Sequence, residues 1–242
     1  MTYASINSVY TTVKDILNKS QMGFVSVSQF NVFAPQAQKE LTEELLELLL
    51  APLVKYRLQS LETASGAIEA SHKDDLSTLF VYNELQAAVL GTNIFDYPSR
   101  YMYIDNITYK GKEVDRISPR EAVYVANNYY TPPTDSNPIA VMANNQIEIQ
   151  PTTINDDIAL TYYKNPMGSK AGVPVNLPPS WQYTQVGEDL LYNAVSSVDF
   201  ELPKSVEQKL AYKVLSLAGF SIREPQAVQF ANTQEAKDKA TE

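Results

Sequence analysis

The amino-acid sequence predicts an α+β protein in which N- and C-terminal helices pack as a helical bundle with a central small antiparallel β-sandwich or sheet module. Two observations predict this class. Apolar residues recur at helical spacing near both ends of the chain, and they alternate with polar residues in the middle third. The 242 residues are therefore predicted to divide into N-terminal helices with a linker (1–75), a β-rich module (76–180) and C-terminal helices with a polar tail (181–242).

The N-terminal segment is predicted to contain two helices. Residues 5–19 carry an apolar stripe made of Ile6, Val9, Tyr10, Val13, Ile16 and Leu17. Ser28 is a candidate N-cap for the second helix, because a serine side chain accepts a hydrogen bond from a free backbone N–H. Pro35 interrupts the second stripe, so this helix is expected either to kink there or to begin at Pro35. Pro52 is expected to bend or end it.

The segment that follows is predicted to be a linker. Residues 60–75 are rich in Ser, Ala, Thr and Glu, which suits a flexible or helical connection. The adjacent carboxylates of Asp74 and Asp75 have no acidic or histidine partner at the spacing that a metal site needs, so both are expected to be surface charges.

The middle third carries strand and turn signals. Residues 101–105 and 107–109 are strand-like and lead into a predicted turn at Lys110–Gly111. The sequence from Ser118 to Glu121 has the form of a capping box, which predicts a short helix. Residues 146–150 alternate apolar and polar side chains on either side of a strand. The Pro- and Gly-rich residues 165–179 predict an extended arm or connection.

The last third is predicted to return to helix. Val186, Leu190, Ala194 and Val198 suit one helical face, and Pro203 is expected to start a further helix that Gly219 ends. Another helix is predicted near Pro225, followed by a polar tail after Ala231. The stripes of residues 5–19 and 203–218 cannot bury themselves alone, so they are expected to pack together.

Composition excludes several kinds of chemistry. The chain has no cysteine, which rules out disulfides and thiolate ligands, and its one histidine, His72, lies in a polar stretch. The formal charge is −9, and the 19 basic residues are scattered, which argues against tight binding of nucleic acid. No catalytic motif stands out among the 28 acidic residues. We therefore expect a non-enzymatic protein without cofactor or metal.

Targeting signals are also missing from the sequence pattern. Residues 1–10 have no basic region followed by an apolar run, and the longest apolar tract, residues 45–54, is too short to span a bilayer. The expectation is a protein made in a host cytoplasm without membrane contact. The 16 tyrosines suit either strands or protein–protein contacts, and the sequence leaves both open.

Several short stretches, taken together and in order, resemble head–tail connector proteins of crAss-like tailed bacteriophages. The stretches are residues 16–19, 21–24, 28–31, 97–103, 109–111, 146–151, 160–166, 199–203, 217–220, 224–225 and 229–231. None of them is a catalytic signature, so their order along the chain carries the resemblance. Pro35 departs from the unbroken helix expected of that family.

The resemblance implies a virion protein at the head–tail junction. Such proteins form a ring, commonly a dodecamer, which binds the portal protein and neighbouring tail or ring proteins. Genomic DNA passes through the bore, and an acidic bore would let DNA slide without tight binding. Within such a ring, residues 165–179 and the tail after Ala231 are expected to be contact elements. The candidate contact residues are Val173, Val175, Leu177 and Lys237.

Two other classes of function stay open at the level of the sequence. One is a tail-associated binding module, in which the tyrosine-rich β region contacts a receptor or glycan without catalysis. The other is a hydrolase whose pair of carboxylates no motif reveals. The mass of the assembled species distinguishes the binding module from a ring subunit. A ring subunit is stoichiometric and oligomeric in particles, whereas a binding module stays monomeric.

Overall fold

The computed structural model describes residues 2–19, 24–56, 73–85, 92–126, 128, 132–154, 157–186 and 189–222. The chain divides into two compact units. The first unit combines Met1–Leu79 with Pro166–Glu242, and the second consists of Phe80–Asn165. The protein is thus a mixed α+β protein with several antiparallel sheets, as predicted. The unit boundaries fall at 79/80 and 165/166, where the sequence suggested 75/76 and 180/181.

The helices and strands have the following bounds. The helices are α1 (Ile6–Lys19), α2 (Val27–Tyr56), α3 (Pro119–Ala126) and α4 (Glu207–Ile222), with a 3-10 turn at Lys204–Val206. The strands are β1 (Phe80–Leu85), β2 (Ile94–Asp96), β3 (Tyr101–Tyr109), β4 (Lys112–Glu113), β5 (Asp115–Ile117), β6 (Ile139–Ala143), β7 (Gln146–Gln150), β8 (Ile158–Lys164), β9 (Gly168–Lys170), β10 (Val173–Val175), β11 (Tyr183–Val186), β12 (Asp189–Tyr192) and β13 (Asp199–Phe200).

The first unit is built on three helices from opposite ends of the chain. Helix α4 packs against both α1 and α2, which confirms the predicted pairing of the N- and C-terminal stripes. The two ends are also joined by backbone, because the N–H of Ala4 donates to the carbonyl of Leu202 and the N–H of Phe200 donates to the carbonyl of Ala4. Gly219 does not end α4, contrary to prediction. It is buried inside the helix, which continues to Ile222.

Helix α2 passes through both prolines, so it neither begins at Pro35 nor ends at Pro52, and these two of the predicted alternatives are wrong. Its buried stripe continues across Pro35, from Phe30 and Ala34 to Leu45. Burial of that stripe offsets the hydrogen bond that a proline removes. The cap also differs from prediction. The Ser26 hydroxyl accepts from the N–H of Gln29, and the Gln29 side chain accepts from the N–H of Ser26.

Polar side chains fix this helical layer at two places. Buried Gln38 on α2 donates to the carbonyl of Met167 and accepts from the N–H of Glu201, while the Glu201 carboxylate accepts from the N–H of Met167. On the other side, the Lys213 ammonium of α4 lies 2.6 Å from the Glu44 carboxylate of α2. Both contacts tie α2 to distant parts of the chain.

The first unit also carries two small sheets. Strands β10, β9 and β13 form one, and β11 and β12 form an isolated antiparallel pair. The pair β11–β12 overturns the predicted helix over Val186, Leu190, Ala194 and Val198. Val186 and Leu190 lie on opposite strands of an antiparallel pair. Their spacing of four therefore reflects the turn and not a helical face.

The second unit has two four-stranded sheets, ordered β1-β8-β3-β4 and β2-β7-β6-β5. Residues of both sheets bury one common core, which includes Phe95, Ile107, Ile147, Ile149 and Leu160. The predicted alternation in β7 is confirmed, because Ile147 and Ile149 are buried while their neighbours are partly exposed. All pairs are antiparallel except β5–β6, which is parallel because α3 lies in the connection between these strands.

Two local features of this unit, a turn and a capping box, were predicted correctly from the sequence. Lys110 and Gly111 form the turn between β3 and β4, both with positive φ. The Ser118 hydroxyl accepts from the N–H of Glu121, and the Glu121 carboxylate accepts from the N–H of Ser118, which confirms the capping box. These hydrogen bonds, first from the backbone and then from the side chain of Ser118, lower the pKa of Glu121.

Candidate interaction site

Trp181 is the centre of a polar and aromatic cluster in the first unit. Its backbone N–H donates to the Asn31 side chain at 2.8 Å, and its carbonyl accepts from the same side chain at 3.0 Å. The indole N–H donates to the Asn7 side chain at 2.9 Å. Two asparagines, one on α1 and one on α2, therefore fix both the backbone and the ring of this residue, which is 4% exposed.

Aromatic rings extend from the helical core through Trp181 to the β11–β12 hairpin. Tyr10 packs edge-on against Phe30 and stacks on Trp181 with centroids 4.4 Å apart. Trp181 in turn lies 5.9 Å from both Tyr183 and Tyr192, the paired residues at the base of the hairpin. Burial raises the pKa of Tyr10. Burial, and then the charge of Asp199, raise the pKa of Tyr192.

A groove of about 900 Å³ opens beside this cluster. We call it the Trp181 groove. The charged groups of its wall belong to Lys14 and Asp15 on α1, and the first residues of α2 close one end. Its aromatic and aliphatic lining consists of Tyr10, Phe24, Val27, Trp181, Tyr183, Leu190, Leu191 and Tyr192. Aromatic side chains with few charges are typical of surfaces that bind other proteins.

The β11–β12 hairpin exposes apolar side chains on both faces. Register places Leu190 on the face of Tyr183 and Tyr192, and it places Val186 and Leu191 on the opposite face. Leu190, Leu191 and Val186 are 48%, 54% and 56% exposed. An isolated two-stranded hairpin is marginally stable in water, and large exposed apolar side chains in a cluster mark contact surfaces.

Two of the predicted contact residues, Val173 and Val175, lie on a different hairpin, β9–β10, and a third, Leu177, follows it. Val173 and Leu177 are 61% and 51% exposed, and Val175 is partly exposed, so the three side chains are accessible in this chain. Their role in assembly stays a prediction. Lys237, the polar tail after Ala231 and the predicted helix near Pro225 lie outside the described residues.

The outer edge of β10 lacks one backbone donor. Ala171 and Gly172, with φ of 49° and 80°, form the turn that sets Val173 opposite Lys170. In such a turn the flanking residues bond to each other, so the next residue, Pro174, directs its backbone outward. Proline has no N–H to offer there, although its carbonyl can still accept. A neighbouring strand that pairs with residues 173–177 would therefore find no donor at Pro174.

The remaining candidates for chemistry do not gather into a site. In the described ranges, no group of three or more histidine, cysteine or acidic residues could hold a metal ion, and His72 lies outside those ranges. Asp75 is not a surface charge, contrary to prediction. It is buried and accepts a hydrogen bond from the Ser205 hydroxyl, so it ties residues 73–76 to the start of the C-terminal helices.

Comparison with known proteins adds no relative. Neither protein-family models nor curated proteins give a match to this chain. Among the helices that the structure describes, none is long and apolar enough to cross a membrane.

Sequence reasoning missed the main features of this site. The asparagines that hold Trp181 carry no sequence signal, because their partners are more than a hundred residues away. The hairpin did leave a signal. Two strand-like runs, residues 183–186 and 189–192, flank Gly187 and Glu188, and both begin or end with tyrosine.

Proposed function

We propose that this chain is a structural, non-catalytic subunit of a phage head–tail connector ring, which joins the portal to the tail and surrounds the DNA passage. The observation that carries the proposal is the β11–β12 hairpin, which exposes Val186, Leu190 and Leu191 and to which no third strand is joined among the residues that the structure describes. A subunit that functions only inside a larger assembly leaves such surfaces for its neighbours. The ordered resemblance to connector proteins of crAss-like phages supports the same function.

The finer architecture follows as part of this proposal. In the assembled ring, the three helices of the first unit form a bundle and the two sheets of the second form a small sandwich module. Portal and tail proteins contact the subunit from either side, and the localisation is the virion. The charge of −9 supports a passage in which DNA is not gripped, because like charges repel.

The alternative is a tail-associated module that binds a receptor or glycan. The Trp181 groove favours it, because aromatic rings beside polar side chains are suited to ligand contact. This module would work as a monomer, whereas a connector subunit would not.

The test is the stoichiometry and position of the chain in purified particles of the encoding phage. Quantitative mass spectrometry should find it in a fixed multiple-copy ratio to the portal protein, and electron microscopy should place it as a ring at the head–tail junction. Its absence from particles, or its presence as separate copies at the tail tip, would contradict the proposal.

A further inference from the structure

The Trp181 groove lies at one end of helix α2. Val27 and Ser28, at the start of this helix, line the groove together with the β11–β12 hairpin. Its wall combines aromatic and aliphatic side chains with the hydroxyl groups of Thr11 and Ser28, which can bond to a peptide backbone. The groove therefore offers an extended peptide both apolar contacts for its side chains and hydrogen bonds for its main chain.

Helix α4 carries the chain away from the groove. The backbone just before α4 donates a hydrogen bond to Gln38 on α2, and Lys213 on α4 lies beside Glu44, further along α2. The two helices pack against each other and advance in the same direction. At a rise of about 1.5 Å per residue, the end of α4 at Ile222 lies roughly 39 Å from Val27 along this axis. The groove and the end of α4 thus lie at opposite ends of the helical layer.

The large apolar side chains that follow α4 are too far from the groove of their own chain. Residues 223–242 contain two of them, Val228 and Phe230. A fully extended chain spans at most about 3.6 Å per residue, so Phe230 can lie no more than about 29 Å from Ile222. This distance is well short of the roughly 39 Å to Val27. The groove of a neighbouring copy is not subject to this limit.

The composition of these residues fits the groove. Residues 225–234 carry no charge, and charged residues lie on either side of them. Among the described residues of the groove wall, the charged side chains are Lys14 and Asp15, whose charges are opposite. Binding of an uncharged segment therefore buries no charge without a partner. In an extended segment, Val228 and Phe230 project from the same side and can enter the groove together.

We propose that residues 225–231 of one copy bind in the Trp181 groove of the next copy. Val228 and Phe230 then contact Leu190 and Leu191, which are half-exposed in a single chain. Because the groove and the end of α4 lie at opposite ends of the helical layer, the contact is head to tail. Such contacts close into a ring when the rotation between copies allows it. This inference rests on the proposed ring function and names the two surfaces that join its subunits.

The first experiment titrates the full chain carrying Phe230→Ser with a synthetic peptide of residues 223–234. Binding should change the fluorescence of Trp181, the single tryptophan. A peptide with Phe230→Ser should bind roughly tenfold to a hundredfold more weakly, and a matched peptide with Gln226→Ala should bind within about twofold of the original. Equal binding of the Phe230→Ser peptide, or no binding of the original peptide, would overturn the proposal.

Sedimentation velocity then tests whether the segment passes between copies. The wild type should form oligomers. Phe230→Ser alters the bound segment, and Phe24→Ser alters an exposed side chain of the groove wall, so each should weaken association by roughly tenfold to a hundredfold. An equal mixture of the two variants should form dimers but no ring, because each pair has one intact segment and one intact groove. Unchanged circular dichroism checks that both variants are folded.

The outcomes for the contact and for the ring function are distinguishable. A wild type that stays monomeric or forms only two-fold dimers would overturn head-to-tail exchange, and so would variants that associate as the wild type does. These results leave the ring function to the particle stoichiometry described above. Conversely, a peptide that binds as expected, while the chain is missing from particles, would support the contact and contradict the ring function.

Discussion

The β9–β10 and β11–β12 hairpins lie close together in the sequence, but their strand edges are paired differently. The first is paired on its inner side by β13, and Pro174 blocks its outer side. The second has no third strand within the described residues and no blocking residue. The first is therefore complete in a single chain, whereas the second has the features of a surface that another chain completes.

The difference also concerns how each hairpin is attached. Gly168 of β9 lies close to the side chain of Val198 and to the backbone carbonyl oxygens of Leu177 and Asp199. This hairpin is therefore held by close packing of its backbone. Among the described residues, the β11–β12 hairpin is attached at its base, where the rings of Tyr183 and Tyr192 lie against Trp181. A hairpin that is fixed at its base can be positioned accurately and still present its exposed apolar side chains to a partner.

The largest expected effect comes from removing the base of the second hairpin. Trp181→Ala should lower the free energy of unfolding by about 4 kcal/mol, because it removes the stack on Tyr10 and leaves the Asn7 side chain without its donor. Urea unfolding followed by circular dichroism measures this. Trp181→Phe keeps a ring on Tyr10 and should cost about half as much. A loss under about 1 kcal/mol for the alanine variant would show that Trp181 is not a structural anchor.

The next effect tests the attachment of the first hairpin. A Cβ at position 168 would lie 2.2 Å from Val198 Cγ1 and 2.8 Å from the carbonyl oxygen of Leu177. Gly168→Ala should therefore destabilise the protein by about 3 kcal/mol. Gly172→Ala is the matched control, because a Cβ there meets nothing within 4 Å and only the positive φ of 80° is strained. It should cost about 1 kcal/mol. Equal losses for the two variants would contradict the close packing at Gly168.

Replacing Pro174 should have a smaller effect on stability but a clear one on association. Pro174→Val gives β10 an outward N–H and should change the free energy of unfolding by less than about 0.5 kcal/mol. Sedimentation velocity should nevertheless detect larger species. If Pro174→Val behaves like the wild type, the missing donor is not what closes the β10 edge.

The smallest effect depends on pH and affects one hairpin only. The raised pKa of Tyr192 means that its stabilising contribution is fully present below the usual tyrosine pKa of about 10 and is lost as pH rises through the higher folded-state pKa. Strands β9 and β10 contain no tyrosine. Fluorescence of Trp181, the single tryptophan, should fall over that alkaline range. Tyr192→Phe should reduce the fall, and an identical titration would contradict the assignment to Tyr192.

Sequence patterns predicted those parts of the fold that depend on neighbouring residues. The capping box at Ser118, the turn at Lys110–Gly111 and the alternation in β7 each need only a few adjacent positions. Prediction failed where distant contacts decide. Helix α2 continues through Pro35 because its stripe is buried by other helices, and Asp75 is buried because Ser205 lies beside it. The open hairpin was taken for a helix because the spacing of Val186 and Leu190 suits both structures.

The candidate site shows the same division. Residues 173–177 were predicted to be contacts because their apolar side chains alternate along the chain. Val173 and Leu177 are indeed exposed. The sequence alone could not show which backbone groups point outward, because this depends on the register of β9 and β10. The role of residues 173–177 in assembly stays a prediction.

The most direct test of the central claim is a three-dimensional reconstruction of the assembled protein by electron microscopy. The account predicts a closed ring at the head–tail junction in which a neighbouring chain covers the exposed side chains of Val186, Leu190 and Leu191 of each copy. A ring whose β11–β12 hairpins project into solvent would contradict the claim, and so would particles in which the chain occurs only as separate copies.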